Sequence, residues 1–307
     1  MLRKIFYFKE RDGHYIIQLF NSILISFKHK KIHKWNKAKE YGITIEKRNP
    51  QIIVSLTSYP ARMPFVHVAL NTLLTQTLKP DRVILWLAEE QFPNKENDIP
   101  EEVLKLKNYG LEIRWCEDIK SYKKLLPSLR EFPEDIIVTA DDDLIYDKDW
   151  LEKLYKSYEK TPNCIHVHRV SRLIYHEGNT LTKPSQRSAL FSLYSEPSYL
   201  NSVFGGSGCL YPPHTLSEEV FNMENCNKTV GFADDLWFWA MATLKGTKIC
   251  EVSGGDSNFK VVAGTTETAL SKEHANDNFI EKYYRVFEKY PEIVEKLKEE
   301  EKNANKR

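Results

Sequence analysis

Two clusters of carboxylates carry the chemistry for which this sequence can be read. Asp141-Asp142-Asp143 directly follows the apolar run Ile136-Ile-Val-Thr-Ala140, and Asp234-Asp235 precedes Leu236-Trp-Phe-Trp-Ala-Met-Ala242. Three adjacent aspartates at the end of a buried strand repel one another and resist desolvation unless hydrogen bonds or a cation compensate them. A hard divalent ion, Mn²⁺ or Mg²⁺, held between carboxylates and diphosphate oxygens would supply that charge. Alternate residues of an extended chain face one way, so Asp141 and Asp143 are expected as metal ligands on one side. Asp142 would then point elsewhere or reach a ribose hydroxyl. The plainer alternative is a polar turn that caps the helix beginning near residue 148.

The second pair lies where a hydrophobic helix should begin, and the free amides and dipole of a helix N-terminus favour negative charge. A carboxylate in that position can accept the proton of an attacking hydroxyl; Asp235 is the first choice and Asp234 the second, with simple helix capping as the alternative. Between the clusters runs Phe204-Gly-Gly-Ser-Gly-Cys-Leu-Tyr211, a close-approach turn that lacks the GxxxxGK[ST] pattern of a phosphate-binding loop. Tyr211, Trp237 and Trp239 are candidates for an apolar face against a sugar. Any of Lys120, Lys123 and Lys124 could steer a diphosphate, and Lys123 is the one nominated as a phosphate contact, with a charged helix surface as the alternative for Lys123 and Lys124. His166 and His168 alternate on one strand without a third ligand for zinc.

The elements that must position these residues follow a βαβ rhythm. Short apolar runs at 51–57, 82–87, 111–116 and 135–140 read as strands, and patterns spaced at three and four residues at 66–74, 121–131 and 148–159 read as helices. This alternation predicts an α/β fold, an open, mostly parallel sheet flanked by helices, whose ligands collect beyond the carboxyl ends of the strands. Farther along, 165–168 reads as a strand, 176–200 as loop and 231–245 as a largely buried helix. Residues 278–303 read as an amphipathic helix broken near Pro291.

Composition narrows the class. Among 307 residues, 44 Lys and Arg face 43 Asp and Glu, a balance that gives no argument for a nucleic-acid partner. The first 40 residues nevertheless hold ten basic side chains against three acidic ones. That surplus predicts a basic, mostly helical segment over 1–48 suited to an anionic membrane surface. Its apolar run Tyr15–Phe27 is 13 residues long, short of the roughly 20 needed to span a bilayer. Five widely spaced cysteines fit neither a disulfide framework nor a metal knuckle, which suggests a cytoplasmic setting.

Over roughly residues 50–250 the sequence resembles the GT-A glycosyltransferases, especially family 2-like bacterial enzymes of polysaccharide or lipooligosaccharide synthesis. The resemblance rests on Ile52-Ile-Val-Ser-Leu-Thr-Ser-Tyr-Pro60, the DxD-type Asp141-Asp142-Asp143 and Ala233-Asp-Asp-Leu-Trp-Phe238. It implies a single GT-A catalytic domain over 49–275, followed by a helical tail at 276–307. It implies metal-dependent, inverting transfer from a nucleotide sugar, a UDP-sugar by expectation, to a hydroxyl of a glycan or glycolipid acceptor at the inner face of the membrane. Thr57, Ser58, Tyr59 and Arg62 would contact the base and ribose, Asp141 and Asp142 the donor, and Asp143 with Asp141 the metal. His274 would be a late metal or diphosphate ligand, and Asp235 the base. Two departures stand out: Asp234-Asp235 replaces the common Glu-Asp pair, and apolar Leu85-Trp-Leu87 replaces the usual acid after the second strand. A metal-dependent nucleotidyltransferase or phosphodiester hydrolase and a non-catalytic carbohydrate-binding protein are the competing classes.

Overall fold

The computed structural model describes residues 6–11, 14–19, 23–28, 37–176, 180–182, 196–203, 205–252, 260–266 and 279–304. The first strands, β1 (Phe6–Arg11), β2 (His14–Leu19) and β3 (Ile23–Lys28), form an antiparallel meander of their own. A mostly helical segment was the expectation there. Phe, Tyr, Ile and Leu are abundant in this stretch, and such residues also suit strands. The amphipathic-helix route to a membrane surface therefore has no element in these residues.

The chain then alternates: β4 (Ile52–Thr57), α1 (Met63–Leu73), β5 (Arg82–Ala88), α2 (Glu101–Leu104), β6 (Leu111–Cys116), α3 (Leu126–Glu131) and β7 (Ile136–Ala140). After these come β8 (Leu144–Ile145), α4 (Trp150–Lys160), β9 (Ile165–Val167), β10 (Val170–Arg172), β11 (Ile174–His176) and β12 (Thr180–Thr182). The remainder comprises β13 (Asn201–Val203), β14 (Cys209–Tyr211), α5 (Met223–Thr229), α6 (Asp234–Lys245), β15 (Ile249–Glu251), β16 (Lys260–Val261), α7 (Phe279–Lys289) and α8 (Pro291–Ala304). The strands at β11 and β12 replace the start of the loop expected from 176. Pro291 does separate the last two helices, as its sequence position predicts.

Seven strands make the central sheet, in the order β15-β9-β14-β7-β4-β5-β6. The run β7-β4-β5-β6 is parallel, and β14 is inserted antiparallel between β7 and β9. This is the open, mostly parallel sheet, flanked by helices, of an α/β fold. Both faces are covered, which explains the near-continuous apolar strands. Ile52, Val54, Leu56, Val83, Leu85, Leu87 and Val138 join α1 and α4 in one cluster. Ile53, Ile84, Trp86 and Ile137 join α3, α6, α7 and α8 in the other. The polar side chains that enter these faces are paired: Ser55 and Ser128 share a 2.8 Å hydrogen bond, and the Trp86 indole donates to Ser128 Oγ at 2.8 Å. The C-terminal helices expected as a tail bury Tyr283, Val286, Phe287, Ile293 and Leu297 in the core.

A 3₁₀ turn at Gly205–Ser207 leads into β14 through Gly208, whose φ of +101° lies in the left-handed region. A Cβ there would overlap the Trp150 indole, whose Nε1 donates to Ser207 O at 2.8 Å. Gly208→Ala should therefore cost about 2–4 kcal/mol, combining a left-handed backbone penalty with overpacking. Gly231 also has positive φ, +61°, but a Cβ there meets nothing within 4 Å, so Gly231→Ala should cost only about 1–2 kcal/mol. Urea unfolding of both variants checks this; equal losses would contradict the packing account.

Candidate functional site

The parallel pairing of β4 with β7 sets Leu56 beside Ala140, so the two strands release Ser58 and Asp142 at the same edge. Ser58 Oγ donates to Asp142 Oδ2 at 2.5 Å. A short turn, Pro60–Arg62, then leads into α1 and turns Arg62 back over the acids. Its side chain is 4% exposed, with Nη1 at 3.4 Å from Asp142 Oδ1 and 3.0 Å from Asp143 Oδ2. A hydrogen bond between its side chain and Tyr59 adds to this hold.

Asp141 leaves the same strand toward a different cation. Its backbone N–H donates to Tyr146 Oη at 2.7 Å, and its Oδ1 lies 3.2 Å from Lys124 Nζ. Lys124 ends the 3₁₀ turn Lys120–Lys124 ahead of α3. The same ammonium lies 2.9 Å from Asp234 Oδ2, at the N-terminus of α6. One buried lysine thus bridges two acidic clusters that lie 93 residues apart in the chain. Neighbouring Asp235 accepts a 2.9 Å hydrogen bond from Gly205 N–H at Oδ2. Its Oδ1 is buried and has no hydrogen-bond partner among the described residues.

The inserted strand β14 delivers the Gly205–Ser207 turn to this edge, because Cys209 pairs with Thr139 next to the end of β7. A Cβ on Gly205 would collide with the Asp235 carboxylate, and one on Gly206 would lie 3.0 Å from Asp141 Oδ2. Glycine is required where backbone comes this close to functional oxygens.

Ionisation reflects the crowding. Burial pushes the Asp142 carboxyl up to about 7, with Asp143 and Asp141 adding to the rise against Arg62 and Ser58. Asp143 is raised by burial and by Asp141, against Arg62. Burial and the charge of Asp234 raise Asp235, with Lys124 opposing. Burial disfavours the Lys124 ammonium, but Asp141, Asp234 and Asp235 outweigh it and hold its pKa well above the usual lysine value.

Ser58, Tyr59, Arg62, Asp141, Asp142, Asp143, Asp234 and Asp235 are therefore brought together, and Thr57 borders them while donating to Trp86 O at 2.8 Å. Asp141 and Asp143 pair with different cations, Lys124 and Arg62, yet lie close enough for the charge of Asp141 to raise Asp143. Other expectations fail. Lys123 is 3% exposed and pairs with Asp118 at 2.6 Å; the cation between the two acidic clusters is Lys124. Tyr211, Trp237 and Trp239 are core residues, and the two indoles donate to Val220 O and Tyr199 O. A sugar face on them is excluded; Phe232, two residues before Asp234, is 53% exposed. His166 bonds to Ser157 and Thr161, and His168 to Trp150 O, so both are structural. His274 lies outside the described residues.

Asp141 and Asp143 carry carboxylate oxygens of the kind a hard divalent ion takes, and they are the more open members of their triplet, at 30% and 25% exposure against 14% for Asp142. Among the described residues no three His, Cys, Asp or Glu side chains converge as a metal site. The protein offers two carboxylates, and phosphate oxygens and water would supply the other ligands, a usual arrangement for Mg²⁺.

No protein-family model matches the sequence, and no curated protein matches it. Among solved structures, the mannosyltransferase PcManGT from Pyrobaculum calidifontis, in complex with GDP-Man and Mn²⁺, is 13% identical with a TM-score of 0.42. That match covers 72% of this chain and 58% of the other. S. aureus TarS 1-349 is also 13% identical, with a TM-score of 0.45 over 78% of this chain and 72% of that one. GalNAc-T7 with UDP, GalNAc and Mn²⁺ is 11% identical, with a TM-score of 0.43 over 67% of this chain and 43% of its own. Likenesses this distant carry no argument about substrate or metal.

The raised Asp142 carboxyl has a consequence for stability. The unfolded chain titrates an aspartate near pH ~4, so between there and about 7 the folded state binds more protons than the unfolded one. The stability this group contributes is complete below the lower value and is lost as pH rises through the upper one. Asp142→Asn removes the titration. The urea midpoint of the wild type should fall relative to that of the variant as pH rises across this window; midpoints that stay parallel would contradict the assignment.

Proposed function

We propose that the protein is a glycosyltransferase that moves a sugar, with inversion, from a nucleotide sugar to a hydroxyl of a bacterial surface glycan or glycolipid. The observation that carries this reading is the single Lys124 ammonium held by Asp141 on one side and Asp234 on the other. It supports the reading because it brings Asp141 and the Asp234–Asp235 pair to one edge, the proximity that displacement at an anomeric carbon needs. A UDP-sugar is the proposed donor.

Each residue has a task in this scheme. Ser58 and Arg62 fix Asp142, which faces the ribose side of the donor, and Thr57 and Tyr59 border the base. Asp141 and Asp143 would hold Mn²⁺ or Mg²⁺, which would supply positive charge against the departing diphosphate. Asp235 accepts the proton of the acceptor hydroxyl as that oxygen attacks. Its unpartnered Oδ1 and its raised pKa suit a group that must take up a proton near neutral pH. Gly205 N–H holds the other oxygen and so fixes the orientation of the carboxylate.

Asp235→Asn keeps the shape and removes the base. Transfer should fall by about 10²- to 10⁴-fold, with donor affinity close to that of the wild type. Because the base works when ionised, wild-type transfer should rise with pH through the neutral region, and this acid limb should be missing from the residual activity of the variant. Steady-state rates across pH, paired with nucleotide-sugar binding, check both points; near-wild-type turnover by the variant would remove Asp235 from this role.

A further inference from the structure

In the described site every member of the aspartate triplet faces a cation of the protein itself. Arg62 serves Asp142 and Asp143, and Lys124 serves Asp141. The two cations differ in their anchorage. Arg62 is committed to the triplet and Tyr59, whereas Lys124 has a second carboxylate, Asp234, at the shorter distance of 2.9 Å against 3.2 Å for Asp141. Its side chain is 8% exposed and Asp141 is the more open partner, at 30%. A divalent ion arriving at Asp141 from solvent therefore meets a carboxylate already engaged by an ammonium. Two cations at one carboxylate repel strongly in a partly desolvated site. The ammonium can give up Asp141 without losing all compensation, because Asp234 still holds it.

We propose that Lys124 is a resident counter-cation for Asp141 that a divalent metal displaces, with Asp234 as the anchor that keeps the ammonium in the site. The acidic edge is then charge-compensated with and without metal, and the competition weakens metal binding in the absence of a nucleotide. The proposal rests on the reading that Asp141 is a metal ligand. It differs from a purely structural role for Lys124 in the sign of one effect. If Lys124 only held the carboxylates in place, its removal would weaken metal binding or leave it unchanged.

The test uses Mn²⁺ alone, without nucleotide, with free Mn²⁺ followed by electron paramagnetic resonance in titrations of the full chain. Lys124→Met should bind Mn²⁺ about tenfold more tightly than the wild type, the scale of removing one neighbouring charge. Lys124→Arg, which keeps the charge, should stay near the wild type, and Asp141→Asn should lose the site. Mn²⁺ should also raise the melting temperature of Lys124→Met more than that of the wild type. Equal or weaker Mn²⁺ binding by a cooperatively melting Lys124→Met overturns the proposal, as does absence of binding by every variant. If Lys124→Met does not fold, the wild type labelled at lysine ¹³Cε provides the readout. Mg²⁺ should then shift one strongly perturbed lysine resonance that is absent from the Lys124→Arg spectrum, and an unmoved resonance overturns the proposal. Failure here leaves the sugar-transfer reading to its own test, the identity of the released phosphate product.

Discussion

Five carboxylates gathered at one sheet edge would repel one another, and the site exists because two buried cations hold them together. Arg62 arrives from the turn after β4, and Lys124 from the 3₁₀ turn before α3. The lysine has the wider reach, since it joins the end of β7 to the start of α6. Asp141, Asp142, Asp143 and Asp234 are thus each brought by one element and paired with a cation from another. The charge balance of the edge therefore depends on the sheet order, and a slip of β7 against β4 would break it. Strand register and site chemistry are one constraint.

That constraint reaches the core through α6. Its first turn carries Asp234 and Asp235, while Trp237, Phe238 and Trp239 immediately behind them are completely buried. Large aromatic rings packed on Tyr211, Tyr283 and Phe287 leave the helix little freedom to move. The acidic pair is consequently mounted on a rigid element. The facing turn is built differently: Gly205 and Gly206 contribute backbone without side chains, so the Gly205 amide reaches Asp235 and the Gly206 backbone passes close to Asp141. A rigid acid-bearing helix against a side-chain-free turn leaves the carboxylate oxygens as the chemical surface of the site.

Much of this was legible in the sequence, for physical reasons that also mark where legibility ends. The strands of the parallel half announce themselves because both faces are buried, and runs such as Ile136–Ala140 have no polar alternation to confuse them. Asp141–Asp143 and Asp234–Asp235 stand out because charge next to such runs is expensive to bury. Lys123 and Lys124 could not be told apart, since a short 3₁₀ turn decides which of them meets Asp118 and which meets Asp141. Trp237 and Trp239 read equally well as a binding face or as core, and only the packing of α7 and α8 places them inside. The basic start of the chain forms strands where a helix is expected, because its apolar residues suit a strand as well as a helix.

The central claim is that this edge breaks a glycosidic bond to a nucleoside diphosphate, with acceptor attack at the sugar. The most direct test incubates the wild-type protein with a panel of nucleotide sugars, Mn²⁺ or Mg²⁺ and surface glycans, and identifies the phosphate product together with the glycan product. The account predicts release of a nucleoside diphosphate in step with a lengthened glycan of inverted anomeric configuration. Release of pyrophosphate or of a phosphomonoester, or glycan binding with no turnover of any donor, would contradict it.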